Sequence, residues 1–178
     1  MNNRLFVAAC LIFSGLLSGC ASEGPPRDIN DPTNSLVFGY IDMDDAPRGV
    51  NTATFLQVAP PSDTPYWETD VNKGLFFQAH LPPGSYQLTS LSGSNTIYDF
   101  PRQGNETSVR IAKPGIYFVG SYKYKAVKTG LFEAPKFSIE RVKTPTEADL
   151  LKQILGNEAI GKSAWGGKIR ARLAQLKR

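Results

Sequence analysis

From Ser35 onward the apolar residues come in short runs separated by turn-forming residues. These runs predict strands from Leu36 to Met43, Ala53 to Val58, Leu75 to Leu81, Tyr86 to Leu91, Thr96 to Phe100, Ser108 to Ala112, Ile116 to Val127 and Lys136 to Val142. Between them lie Asp44-Asp45-Ala46-Pro47, Ala59-Pro60-Pro61-Ser62, Pro82-Pro83-Gly84, Ser92-Gly93-Ser94-Asn95, Gln103-Gly104-Asn105 and Lys113-Pro114-Gly115. Many short strands with turn signals at this spacing point to a β-sandwich or barrel and away from alternating βαβ units. Leu75, Phe77, Ala79 and Leu81 alternate with Phe76, Gln78 and His80, and Val109 and Ile111 alternate with Ser108 and Arg110. A period of two predicts sheets buried on one face.

After Lys143 the period changes to that of a helix. Thr144-Pro145-Thr146-Glu147 reads as a capping box, with Pro at the first helical position and Glu at the third. It opens a segment with Leu150, Leu151, Ile154 and Leu155 on one stripe, and Gly156 ends it. A second segment from about Ser163 sets Trp165, Ile169, Leu173 and Leu176 on a core-facing stripe. Lys168, Arg170, Arg172 and Lys177 fall on or beside its other faces. The expectation is a mainly β domain over residues 35–143 of about seven to eight strands, followed by two amphipathic helices over 144–178 packed on it.

The N-terminus has a different pattern. Arg4 precedes a run from Leu5 to Leu17 that is apolar apart from Ser14 and Gly15, the layout of a secretory signal and too short to cross a bilayer. Leu17-Ser18-Gly19-Cys20 resembles the lipobox of bacterial lipoproteins. The resemblance implies cleavage after residue 19, diacylation of the Cys20 sulfur and usually N-acylation as well; no cofactor is expected. Ala21, where Asp would favour inner-membrane retention, implies sorting to the outer membrane with the body facing the periplasm. The only other cysteine, Cys10, lies within the segment that would be removed, so the mature chain has no intrachain disulfide. Two or three acyl chains anchor far more firmly than one. Residues 20–34, with Pro25, Pro26 and Pro32 and a single large apolar residue, Ile29, read as the lipidated cysteine and a tether.

A second resemblance rests on a repeated turn. Leu81-Pro82-Pro83-Gly84-Ser85-Tyr86 and Ala112-Lys113-Pro114-Gly115-Ile116-Tyr117 both place Pro-Gly before a tyrosine-bearing strand. A type II turn with Gly at positive φ is the expected geometry. The Pro-Gly-x-Tyr pattern is similar to that of transthyretin-like and carboxypeptidase-regulatory-like modules, and it implies a Greek-key β-sandwich.

Composition narrows the chemistry. Removing residues 1–19 leaves 159 of 178, enough for one domain, and lowers the formal charge from +4 to +3 because Arg4 is the only charge lost. That mild excess gives no reason to expect a nucleic-acid partner, although no acidic residue follows Glu158 and the C-terminal end is basic. His80 is the only histidine, which removes Cys-His chemistry and most zinc sites and leaves a Ser-His-Asp triad only His80 to use. It is expected to be exposed and structural. Asp42, Asp44 and Asp45 could offer oxygen ligands but lack the spacing of a calcium loop. Tyr66 and Trp67, expected in a loop, could stack on a sugar. On the strand Tyr122-Lys123-Tyr124-Lys125 the tyrosines face one way, and Lys123 and Lys125, with Lys113 and Lys128, could meet an anionic envelope partner. The expected function is a non-enzymatic, lipid-anchored envelope module that binds or assists another component. The alternatives are a carbohydrate or peptidoglycan binder, or a hydrolase acting on envelope polymers.

Overall fold

The computed structural model describes residues 28–100, 106–127 and 137–177. The signal segment, Cys20, the first part of the tether, the turn Gln103-Gly104-Asn105 and Lys128 lie outside the described residues.

The chain is mainly β, with strands β1 (Ser35–Asp42), β2 (Thr52–Ala59), β3 (Tyr66–Asn72), β4 (Leu75–Leu81), β5 (Gly84–Gly93), β6 (Thr96–Asp99), β7 (Ser108–Ile111), β8 (Ile116–Ala126) and β9 (Phe137–Val142). They form one nine-stranded mixed sheet in the order β6-β5-β2-β3-β4-β1-β8-β9, with β7 beside the first half of β5. Every pairing is antiparallel except β1 with β8. The sheet curls nearly into a barrel. Its two ends meet through rings: Tyr98 and Phe100 on the β6 side lie 5.2 Å from Phe137, and Tyr98 lies 6.1 Å from Tyr124. The Tyr122 hydroxyl, which donates to the Glu106 carbonyl at 3.1 Å, ties β8 to the approach to β7.

Three helices follow, α1 (Glu147–Leu155), α2 (Glu158–Lys162) and α3 (Ala164–Gln175), one more than the apolar stripes predict. Two separate cores result. Val37, Ile41, Phe55, Phe76, Leu88 and Tyr122 fill the barrel. Leu36, Phe38, Leu75 and Ala79 point outward and are covered by Leu150, Leu151, Ile154, Ile160, Trp165 and Ile169. β1 and β4 are therefore buried on both faces, which corrects the expectation of one-sided sheets. In β4 a register irregularity opposite Ser35–Val37 reverses the alternation, so Leu81 turns into the barrel while Leu75 and Ala79 face the helices.

Local chemistry explains the helix ends. Thr146, not Thr144, is the N-cap of α1, and its box partner is Asp149, not Glu147, because Pro145 stands before the cap instead of after it. Gly156 ends α1 as expected, but in a right-handed conformation with φ −71°. The α3 stripe is buried at Trp165 and Ile169, half-buried at Leu173 and 38% exposed at Leu176, so it stops one residue short of the predicted four. At the α2–α3 corner a Cβ on Gly166 would collide with the Gly161 carbonyl, which is why glycine stands there.

The Pro-Gly-x-Tyr echo has a structural cause that differs from the expected one. Neither Gly84 nor Gly115 has a positive φ. Instead, the tyrosine two residues on folds its ring back over the glycine. Tyr86 donates to the Pro82 carbonyl at 2.9 Å and Tyr117 to the Lys113 carbonyl at 2.7 Å, both four residues upstream. A Cβ at Gly84 would lie 3.2 Å from the Tyr86 ring, and one at Gly115 would lie 3.4 Å from the Tyr117 ring. Glycine makes room for the ring, and the hydroxyl closes the corner.

Candidate functional site

The chain leads into the folded body on the helical layer. Ile29, read from composition as part of the tether, packs against the outer core. Asn30 Oδ1 accepts the backbone N–H of Ala164 at 3.0 Å, and Ser163 Oγ accepts that of Trp165 at 3.2 Å, so both side chains satisfy free donors at the start of α3. Asp31 holds the next turn by accepting from Thr33, and those bonds lower its carboxyl below the ordinary 3.8. The segment just before β1 is thus bound to the first turn of α3.

The outer face of that layer has an uneven charge. All three of its acids are engaged by bases. Glu147 accepts a bidentate pair from Arg172 at 2.8 and 3.2 Å, Asp149 lies 3.6 Å from Lys152, and Glu158 bonds Lys162. The Arg172 guanidinium is pushed up by its bond to Glu147. Lys168, Arg170 and Lys177 are exposed and have no acidic partner among the described residues. Lys168 Nζ rests 4.3 Å from the centre of the Trp165 ring, and the Arg170 guanidinium lies beside Gly166. Between these bases α3 exposes Gly167, Ala171 and Ala174, opposite the buried Trp165 and Ile169.

The other predicted site residues are dispersed. Tyr66 and Trp67 begin β3, where a loop is expected, and successive residues of a strand face opposite ways. Trp67 is buried in the barrel against Tyr86, ring centres 6.4 Å apart, while Tyr66 is 59% exposed. They cannot form one stacking platform. Tyr122 and Tyr124 are core, and burial raises the Tyr122 phenol. Lys123 is held 2.8 Å from Asp45 and Lys125 3.5 Å from Glu140, so both are neutralised within the fold. The bond to Asp45 raises the Lys123 ammonium further.

The acidic group does not converge either. Asp45 faces Lys123, and Asp42 accepts the Asp44 N–H at 3.0 Å in a local turn. His80 is half-buried rather than exposed. It sits at the far end of the β1–β4 pairing from Asp42, next to the Ser35↔Leu81 pair, so about six residues or roughly 20 Å of strand separate them. Among the described residues no three His, Cys, Asp or Glu side chains are placed to hold a metal ion.

Two clefts open on the surface of the described residues. One of about 390 Å³ lies between Arg48–Asn51 and the Gly93–Thr96 hairpin. Its floor is braced by Tyr98, whose hydroxyl donates to the Arg48 carbonyl at 3.1 Å and accepts the Arg48 N–H at 3.2 Å. The other, about 530 Å³, lies where β8 and β9 meet α1 and is lined by Phe118, Ser121, Arg141, Lys143, Thr146 and Glu147. Its corner is closed by Ser121 Oγ, which donates to the Pro145 carbonyl at 2.5 Å. Sequence reasoning missed both, because each joins segments far apart in the chain. The basic pair Arg141, in β9, and Lys143, just after it, is the only signal that could have suggested the second. No protein family, curated protein or solved structure matches the chain.

Proposed function

We propose that the chain is a lipid-anchored lipoprotein of the bacterial cell envelope, acylated at Cys20, whose body is a non-enzymatic binding or accessory module on the periplasmic side of the outer membrane. The observation that carries this reading is the tetrad Leu17-Ser18-Gly19-Cys20 behind a short apolar run. Where the body begins is compatible with it. Ile29, nine residues after Cys20, already packs on the body, so the lipid and the fold are close along the chain. A Greek-key, transthyretin-like origin of the body belongs to the same proposal and is supported by the two tyrosine-closed corners, a device of such sandwiches. The exposed tyrosine and buried tryptophan at the start of β3 weigh against glycan stacking at that pair.

Mass spectrometry of the protein recovered from envelopes tests the anchor. A Cys20 peptide carrying a thioether-linked diacylglyceryl group is expected, as is loss of membrane fractionation on Cys20→Ser. An unmodified thiol, or a Cys20→Ser variant still sedimenting with membranes, would refute it.

A further inference from the structure

We infer that the outer face of α3 is a contact surface for anionic phospholipid headgroups, holding the anchored body helix-side down on the membrane. This rests on the Cys20 reading and adds an orientation to it. Three observations meet at this face. First, the chain reaches the body at the start of α3, through Ile29 in the outer core and Asn30 bonded to Ala164. Eight residue steps from Cys20 to Asp28 span at most roughly 28 Å. A globular body of about 150 residues is roughly 38 Å across, from a radius of gyration near 15 Å. The link is shorter than the body is wide, which bounds how far the start of α3 can stand from the bilayer and leaves the charge on α3 to set the orientation.

Second, the exposed charge of α3 itself is basic, while Asp28 and Asp31 on the entering segment are the nearby acids outside the helical layer. Each acid of the helical layer is already engaged, while Lys168, Arg170 and Lys177 keep their charge for an outside partner. On a helical wheel Arg170 lies on one flank of the exposed stripe and Lys168 and Arg172 on the other, with Lys177 just past the C-cap Leu176. Third, the stripe between the flanks is Gly167, Ala171 and Ala174, so no bulky side chain keeps the backbone from the surface, and the long basic side chains can reach outward on both sides. Burial of Trp165 and Ile169 leaves the helix without an apolar face to insert. The contact is therefore electrostatic and lies at headgroup level.

Each base near an anionic surface multiplies partitioning about fivefold, so three give on the order of 100-fold. That is too weak to recruit the body from solution. It is enough to orient a body whose acyl chains already keep it at the surface.

The acylated full protein is reconstituted in phosphatidylcholine vesicles with or without about 30% phosphatidylglycerol, both carrying a headgroup-linked quencher. With Cys20 acylated, a cysteine introduced by Ala171→Cys or, at the Gly93–Thr96 end of the barrel, Ser94→Cys takes a single fluorophore. The expected result is strong quenching at position 171 that requires phosphatidylglycerol and falls in 1 M NaCl. It should also fall in the Lys168→Gln, Arg170→Gln, Lys177→Gln variant, with weak, lipid-independent quenching at position 94. The salt arm uses the unsubstituted face, so the conclusion does not depend on the triple variant folding. Equal quenching at 171 in both lipids, in a protein that sediments with both, overturns the contact alone. Failure to sediment with the zwitterionic vesicles overturns the anchor, and this inference with it.

Discussion

Replacing Tyr86 by Phe removes one hydroxyl and leaves a ring that is 1% exposed and packed edge-on against Trp67. The bond lost is the 2.9 Å donation to the Pro82 carbonyl. A buried hydrogen bond contributes about 1 kcal/mol net, and more when its partner loses access to water. Tyr117→Phe makes the same chemical change at the second corner, where the ring is half-exposed and water can replace the hydroxyl on the Lys113 carbonyl. The expected costs are about 1–1.5 kcal/mol at Tyr86 and about 0.5 kcal/mol or less at Tyr117. In urea, with a slope of about 2 kcal/mol/M, that is a midpoint shift of about 0.5–0.7 M against one near 0.2 M, with the slope unchanged. The glycines give a matching contrast. A Cβ at position 84 would sit 2.7 Å from the Ala59 carbonyl oxygen as well as on the Tyr86 ring, whereas at position 115 the closest atom is at 3.4 Å. Gly84→Ala should therefore destabilise by about 1–3 kcal/mol, as an overpacked site does, and Gly115→Ala should be nearly neutral. If the two tyrosine variants shift the midpoint equally, or Gly84→Ala is neutral, the corners are not held by ring-over-glycine packing and the reasoning fails.

Three further outcomes follow from the same structure. Ile169→Ala, at a fully buried position of α3, should cost about 2–5 kcal/mol by denaturant titration, and Arg170→Ala on the outer face should stay within about 0.5 kcal/mol. Trp67→Ala should cost about 3–5 kcal/mol and Tyr66→Ala close to nothing, in thermal or urea melts, since one ring fills the barrel and its neighbour faces solvent. The Asp149 carboxyl is held below the ordinary 3.8 by its bonds from Thr146, so the stability it contributes is present above that value and lost as pH falls through the lower folded-state value. The melting-temperature gap between the unsubstituted protein and Thr146→Ala should accordingly narrow from pH 6 to pH 2.5, and a constant gap would exclude this linkage.

Eight of the nine strands were legible because their apolar runs are bounded by Pro, Gly, Asn and Asp. β3 was missed for a specific reason. Its outward residues Glu68, Asp70 and Asn72 make the segment look like loop, although Trp67, Thr69 and Val71 alternate with them as in any half-buried strand. The Thr69 hydroxyl, bonded to the Phe77 carbonyl, shows how a polar inward position is satisfied. Two-sided burial of β1 was equally visible in SLVFGYID, whose apolar residues do not alternate, yet its cause was not: the parallel neighbour β8 and the helical cover both come from distant parts of the chain. The Pro-Gly-x-Tyr echo could be seen, but not its mechanism, because turn propensities favour a glycine that supplies positive φ over one that makes room for a ring.

The C-terminal helix shows why function was less legible than fold. Burial of its apolar stripe and contact of its basic residues with lipid look like competing readings while the helix is only a string of residues. In the structure they occupy opposite sides of one cylinder, with Trp165 and Ile169 inward and Gly167, Ala171 and Ala174 outward between flanking bases. Removing residues 160–178 would then lower stability whether or not the helix meets the membrane, since the truncation strips the outer core of Ile160, Trp165 and Ile169 in either case. Only a perturbation confined to the outer face separates the two roles. The charges of Lys168, Arg170 and Lys177 suit that purpose because no ion pair among the described residues depends on them.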